Sequence, residues 1–279
     1  SSSVRKEFLK RPRHAWSFCY IPSMTEIRRI DIPEKDLPLR SDVSLLGSLV
    51  GEMLVDQHGP ELLSLVERVR TTAINQRESF DDPGDSLDSI LNQLDPQQVE
   101  QVIHAFTSYL RAVNLAEKVH RIRRRRSYQR EGLEAQRGSL DQVIEMLKSR
   151  QVGRDELAAE ISKLLIQPVF TAHPTEATRR TIQEKEYDIL RRLVERLNPE
   201  LTPAEDALAI GRIRSEITTS WQTRMEPHAK PTVADELDNI LFYITDILYR
   251  VVPVFYESLE QAFEKHFDAC PAEMLPRPI

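Results

Sequence analysis

Seven histidines are spread over the 279 residues, and one of them, His173, sits where a side chain could do chemistry. It closes the apolar stretch Gln167-Pro-Val-Phe-Thr-Ala-His173 and is followed by Pro174-Thr175 and a helical register from Glu176. The amides and dipole at such a helix start favour a bound anion. Arg179 and Arg180 fall in the first turn or so of that helix. An imidazole titrating near neutrality beside anion-binding groups suits proton transfer on a phosphate or carboxylate substrate. The plainer reading is a histidine that packs a strand end and two arginines that are solvated.

A second concentration of charge is Arg121 with Arg123 to Arg126, five arginines in six positions. Positive charge near a helix carbonyl end is ordinary; the alternative is binding of RNA or another polyanion. Only Tyr128 stands close enough to offer stacking. Other constellations fail. There is no His-Glu-x-x-His, no acidic cluster at metal-ligand spacing and no Gly-x-Ser-x-Gly elbow. Glu184, Glu186 and Asp188 read as the wet face of a helix.

Composition narrows the field further. Eight glycines in 279 residues are well below the usual ~7%. Neither Gly-x-Gly-x-x-Gly nor Gly-x-x-x-x-Gly-Lys-Ser/Thr occurs, so nucleotide readings through those loops lose their support. A net charge of −6 disfavours a general nucleic-acid binder. Two cysteines, Cys19 and Cys270, make no disulfide framework, which points to a reducing cytoplasm. No uninterrupted apolar run approaches ~18 residues, so no membrane span is expected. Gly47 and Gly51 are expected at a close helix contact, with Glu52 and Asp56 arguing against a membrane dimer face.

The elements that must position His173 read as helices nearly throughout. Ser41 or Asp42 is a candidate cap for a helix carrying Leu45, Leu46, Leu49 and Met53, and a second helix starts near Pro60. Asp81 to Asp85 is a turn, and Asp95-Pro96 caps a long helix from Val99 to Val119. Ser139-x-x-Gln142 and Thr202-Pro203-x-Glu205 are capping boxes. From Thr232 an apolar stripe of Leu237, Ile240, Leu241, Ile244, Ile247, Leu248 and Val251 runs toward Pro253, which should kink or restart the helix. One segment departs from this pattern: after a helix ending near Leu165, residues 168–172 read as a short buried strand. Histidine at a strand's carboxyl end is where barrel and open α/β folds place their chemistry.

The ends differ from the middle. Residues 1–23 carry five basic side chains against Glu7 alone and read as a leader or appended segment. Residues 268–279, rich in proline, read as a tail outside the fold. Both ends are expected to pack poorly, leaving Cys19 and Cys270 reactive.

At Phe170-Thr-Ala-His-Pro-Thr-Glu-Ala-Thr-Arg-Arg180 the chain resembles bacterial-type phosphoenolpyruvate carboxylase, whose histidine motif precedes a helix with paired arginines. Leu39-Arg-Ser-Asp-Val-Ser-Leu-Leu-Gly47 resembles that family's first helix. Asn114-Leu-Ala-Glu-Lys-Val-His-Arg-Ile-Arg123 resembles a further segment, and Trp221-Gln-Thr, Lys230-Pro-Thr, Asp235-Glu236 and Val252-Pro253 echo a fourth. The resemblance spans Leu39 to Phe267. It implies a mainly α chain: residues 24–267 would be the amino-terminal helical portion plus the first strand of a TIM-like barrel, incomplete here.

The resemblance also implies condensation of phosphoenolpyruvate with bicarbonate to oxaloacetate and phosphate, an anaplerotic carbon fixation feeding the tricarboxylic acid cycle. It implies Mg²⁺ or Mn²⁺, a homotetramer in the cytoplasm, His173 as catalytic base, and Arg179 and Arg180 as substrate- or phosphate-binding groups. Two departures stand out. Where the family carries Asp-Glu-x-Arg-Arg, this chain has Arg224, Met225, Pro227 and His228, which puts a sugar-phosphate regulatory site in doubt. The family's glycine-rich motif, substrate arginines, metal carboxylates and catalytic lysine would all follow Phe267's counterpart, so the chain alone is expected to be inactive. A non-catalytic helical scaffold and a polyanion binder acting through Arg121 to Arg126 stand as the alternatives.

Overall fold

The computed structural model describes residues 33–78, 86–131, 135–167, 169, 179–223, 232–271, 274 and 275. They form helices, and no strand occurs among them. The chain divides into two compact units, residues 1–123 with 179–225 and residues 124–178 with 226–279.

The first unit is built from α1 (Leu37–His58), α2 (Pro60–Glu78), α3 (Leu87–Asn92), most of α4 (Pro96–Glu131), α7 (Arg180–Glu195) and α8 (Pro203–Trp221). Helix α1 starts earlier than its expected caps, at Asp36 after a short 3₁₀ turn, with proline in its first turn. Asp42 is drawn elsewhere, accepting a hydrogen bond from Arg123 at 2.7 Å. The charge-assisted bond to α4 takes the carboxylate away from the local backbone. Gly59 ends α1 with φ +83°, a backbone angle that glycine adopts at no steric cost. Asp95 and Gln98 cap α4 reciprocally: the Gln98 amide donates to Asp95 Oδ1 (2.8 Å) and the Asp95 amide to Gln98 Oε1 (3.1 Å). Thr202 and Glu205 form the expected capping box on α8. The apolar stripes close on one another in a core that includes Leu46, Met53, Val119, Leu193 and Ile213. Gly47 meets the Tyr109 ring so closely that an added Cβ would lie 3.3 Å from it, the close contact expected for this glycine.

The second unit contains α5 (Leu140–Ser149), α6 (Arg154–Ser162), α9 (Val233–Phe242), a wide π turn (Tyr243–Leu248) and α10 (Tyr249–Phe267). Ser139 caps α5 by accepting from the Gln142 amide, but the expected reciprocal box is not closed, because the Gln142 side chain accepts from the Gly138 amide at 2.6 Å. The helical stretch after it is interrupted at Gln151, whose φ is +66°, and resumes from Gly153, so α6 ends at Ser162 rather than near Leu165. Its core gathers Ile144, Leu157, Ile161, Leu259, Phe263 and Met274. Asp141 ties α5 to the end of α10, bonded to Lys265 (2.7 Å) and His266 (2.6 Å). Burial raises the Asp141 pKa, but the hydrogen bonds and charges of Lys265 and His266 outweigh it and leave the carboxyl below its usual range. Lys148 donates to the His266 carbonyl.

Two expectations are corrected in this unit. Residues after Phe267 are not uniformly loose: Met274 is buried, Cys270 packs beside the same core, and burial followed by Glu260 and Glu264 raises the Cys270 thiol pKa, which opposes reactivity. Pro253 does not restart the helix; α10 runs through it, and the wide turn lies one turn upstream. As a result Val233–Phe267 is one continuous rod, long and apolar enough by length and composition to cross a membrane, although Asp246 and Arg250 pair within it at 3.4 Å. Its apolar stripe is exposed at Leu237, Leu241, Ile244 and Val251, because no described element packs on that face.

The expected strand at 168–172 is described only at Val169, which lies outside any strand and is 82% exposed. Leu164, Leu165 and Ile166 before it are exposed as well, so the apolar run has no partner among the described residues. The turn expected at 81–85 lies outside the described residues.

Candidate functional site

Helix α7 is the element that would present the candidate site. Its described turns begin at Arg180, with Arg179 as the capping residue, and the start expected at Glu176 lies outside the described residues. The Arg179 carbonyl accepts from the amides of Ile182 (2.9 Å) and Gln183 (3.2 Å). Arg180 is exposed and donates from Nε to Glu184 Oε1 at 3.0 Å. His173 lies outside the described residues, as do residues 224–228. The two arginines are therefore brought together at the opening of one helix, and the histidine's distance from them is not among the described geometry.

What lies behind α7 is a rigid frame. Ile182, Ile189 and Leu193 are buried against the first core. On the flanks, Lys185 donates to Thr219 (2.6 Å) and pairs with Glu216 (3.3 Å) on α8, and Arg111 of α4 pairs with Glu186 at 3.3 Å. Glu186, expected as a wet-face residue, is thus a half-buried link between helices. Such a frame fixes where the amino end of α7 points, and a fixed helix start is what anion binding needs.

Three of the five arginines in the run have partners on their own or a neighbouring helix. Arg121 pairs with Glu117 at 3.7 Å, Arg123 with Asp42 at 2.7 Å, and Arg124 donates to the Tyr128 hydroxyl at 3.1 Å while covering its ring. Among the described residues, no group of three His, Cys, Asp or Glu side chains is placed to hold a metal ion.

Sequence reasoning missed one cluster. Trp221, the last residue of α8, donates its indole N–H to His58 Nε2 (3.1 Å) and stacks on the His104 ring, centroids 3.9 Å apart and planes 7° from parallel. The His58 Nδ1 lies 3.4 Å from the Gln101 side-chain amide, and Gln222 bonds Gln57 at 2.8 Å. His104 Nε2 is buried without a hydrogen-bond partner. Burial, and then the Arg111 charge, hold the His104 pKa below its usual value, with Glu100 opposing. In sequence these residues are scattered over three helices, and no spacing within one helix points to their meeting.

The family profile for phosphoenolpyruvate carboxylase matches residues 39–277. The chain is 46% identical over 243 residues to the phosphoenolpyruvate carboxylase of Xanthomonas oryzae pv. oryzae, covering 87% of this chain and 26% of that protein. It is 47% identical over the same length to that of Xanthomonas euvesicatoria pv. vesicatoria. With the Nitrosomonas eutropha protein of the same name the identity is 37% over 236 residues, 84% of this chain and 25% of the relative. The chain spans about a quarter of the length of these relatives. A match running through most of the chain at this identity has one explanation: the chain belongs to the phosphoenolpyruvate carboxylase family and corresponds to an amino-terminal portion of it.

Proposed function

We propose that this chain is the amino-terminal part of an enzyme that condenses phosphoenolpyruvate with bicarbonate, giving oxaloacetate and phosphate. The observation that carries the reading is the family match over residues 39–277, which contains the His173 motif with Arg179 and Arg180 in register. In this scheme bicarbonate attacks the phosphoryl group, and the products are carboxyphosphate and the enolate of pyruvate. His173 takes the carboxyphosphate proton, phosphate leaves, and the CO₂ released is captured by the enolate carbon. Arg179 and Arg180, at the opening of a helix held by the first core, would bind and orient an anionic group beside that base. A divalent ion, Mg²⁺ or Mn²⁺, would supply charge neutralisation in the complete enzyme. On this reading its ligands lie in the remainder of the relatives' length. On this reading residues 168–172 form a barrel strand in the complete enzyme, which works in the cytoplasm as a homotetramer. The exposed apolar stripe of Val233–Phe267 is then covered by the remaining chain.

The test uses the complete enzyme with His173→Asn. Base catalysis is worth ~10²–10⁴-fold, so carboxylation should fall by about that factor. The phosphoenolpyruvate KM should change little, as when an interaction made only in the transition state is lost. A wild-type kcat per folded molecule, with a lowered Tm, would make His173 structural. The 279-residue chain alone, given both substrates and Mg²⁺, should form no oxaloacetate above background.

A further inference from the structure

We propose that His58, His104 and Trp221 form a proton-operated clamp that fastens the end of α8 to α1 and α4 and releases it under mildly acidic conditions. The inference is independent of the carboxylase reading. It starts from hydrogen-bond chemistry. An indole N–H can only donate, so His58 Nε2 must offer a lone pair to Trp221, and its proton must sit on Nδ1. That proton faces the Gln101 amide at 3.4 Å, whose oxygen becomes the acceptor when the amide is rotated by half a turn. A second proton on His58 would occupy the lone pair and set two donors against each other at 3.1 Å.

The second imidazole blocks the easy escape. Trp221 lies flat on His104, so it cannot leave His58 without sliding across that ring. The indole face would welcome an imidazolium, but His104 Nε2 has no partner and almost no water contact. A proton there would leave a buried N–H without an acceptor, which is costly.

The charged groups around the clamp are few. On α4, Arg111 repels a charged His104 and Glu100 attracts it. On α1, Glu52 and Asp56 are both engaged by Arg214 of α8 and are neutralised there. His58 and His104 also repel each other when both are charged. Gln57 with Gln222 is neutral. Burial and Arg111 outweigh Glu100, so native His104 resists its proton. The linkage sign follows. The unfolded chain binds the proton first, so stability falls as pH drops from about 6.5 toward the lower native value, then stops changing on this account.

The chain supplies its own reporter. It has two tryptophans, so Trp16→Phe leaves Trp221 as the only indole. In that protein, Trp221 emission and the indole ¹⁵N–¹H resonance are followed from about pH 8 to 5, together with far-ultraviolet circular dichroism. Emission should change with a midpoint below about 6.5. Hydrogen exchange at the indole, corrected for its intrinsic pH dependence, should speed up about five- to tenfold, as for loss of one hydrogen bond. Helix content should stay constant. Adding His58→Gln with His104→Phe keeps an acceptor and a flat ring, removes both imidazoles, and should abolish the transition. Emission and resonance that stay flat, a transition that coincides with helix loss, or one that survives unchanged in the folded double variant would each overturn the proposal. Should the double variant not fold, the imidazole C–H resonances of the Trp16→Phe protein decide. If neither histidine shares the indole's midpoint, the clamp is wrong.

Discussion

The two compact units use the same kind of amphipathic helix and bury it to different extents. In the first, the stripes of α1, α4, α7 and α8 close on one another, and residues such as Met53 and Ile213 lose all contact with water. In the second, a small core around Phe263 is complete, while the rod that supplies Phe263 leaves Leu237 54% and Ile244 44% exposed further up its length. Period alone made both stripes. Burial needed a second surface, and the described residues supply that surface for one and not for the other. A chain spanning about a quarter of its relatives' length is the setting in which such a face is expected.

The sharpest way to break the comparison is to remove the anchor of the smaller core. Phe263→Ala should destabilise the second unit by about 3–5 kcal/mol, from lost burial plus the cavity left behind. Hydrogen exchange should then quicken in α5, α6 and the end of α10, with the first unit unchanged. Equal loosening of both units would mean that they do not fold independently.

A smaller effect is expected at the caps. Thr202→Ala should cost about 1 kcal/mol, since it removes the acceptor for the Glu205 amide and half of a reciprocal pair. Thr232→Ala removes the same box with Asp235 but should leave the Tm of the first unit untouched. Thermal unfolding followed by probes in each unit separates the two.

The smallest change in stability, within about 0.5 kcal/mol, is expected for Leu241→Ser with Ile244→Ser, because exposed side chains forfeit little burial. The same pair should lower binding of a hydrophobic dye and self-association of the 279-residue chain. In the complete enzyme it should instead be destabilising, if the remaining chain covers that face. Dye binding that does not respond would show that the exposed stripe is not the sticky surface of the isolated chain.

Much of this protein was decided locally and could be read without coordinates. Ser139, Thr202 and Thr232 open helices because their hydroxyls satisfy amides three residues away. The His173 motif with its paired arginines carried the family, since it depends on residue order and on nothing distant. Where local preference met a distant partner, sequence reasoning failed. Asp42 looked like a cap until Arg123 claimed it across 81 positions of chain. Glu186 looked solvated until Arg111 met it. The stripe from Leu237 to Val251 has the period of a core helix, but periodicity records which side of a helix is apolar and cannot say whether anything lies against it. The meeting of His58, His104 and Trp221 belongs wholly to tertiary structure. Ring stacking and a shared proton require three helices to converge, and no spacing within any one of them encodes that convergence.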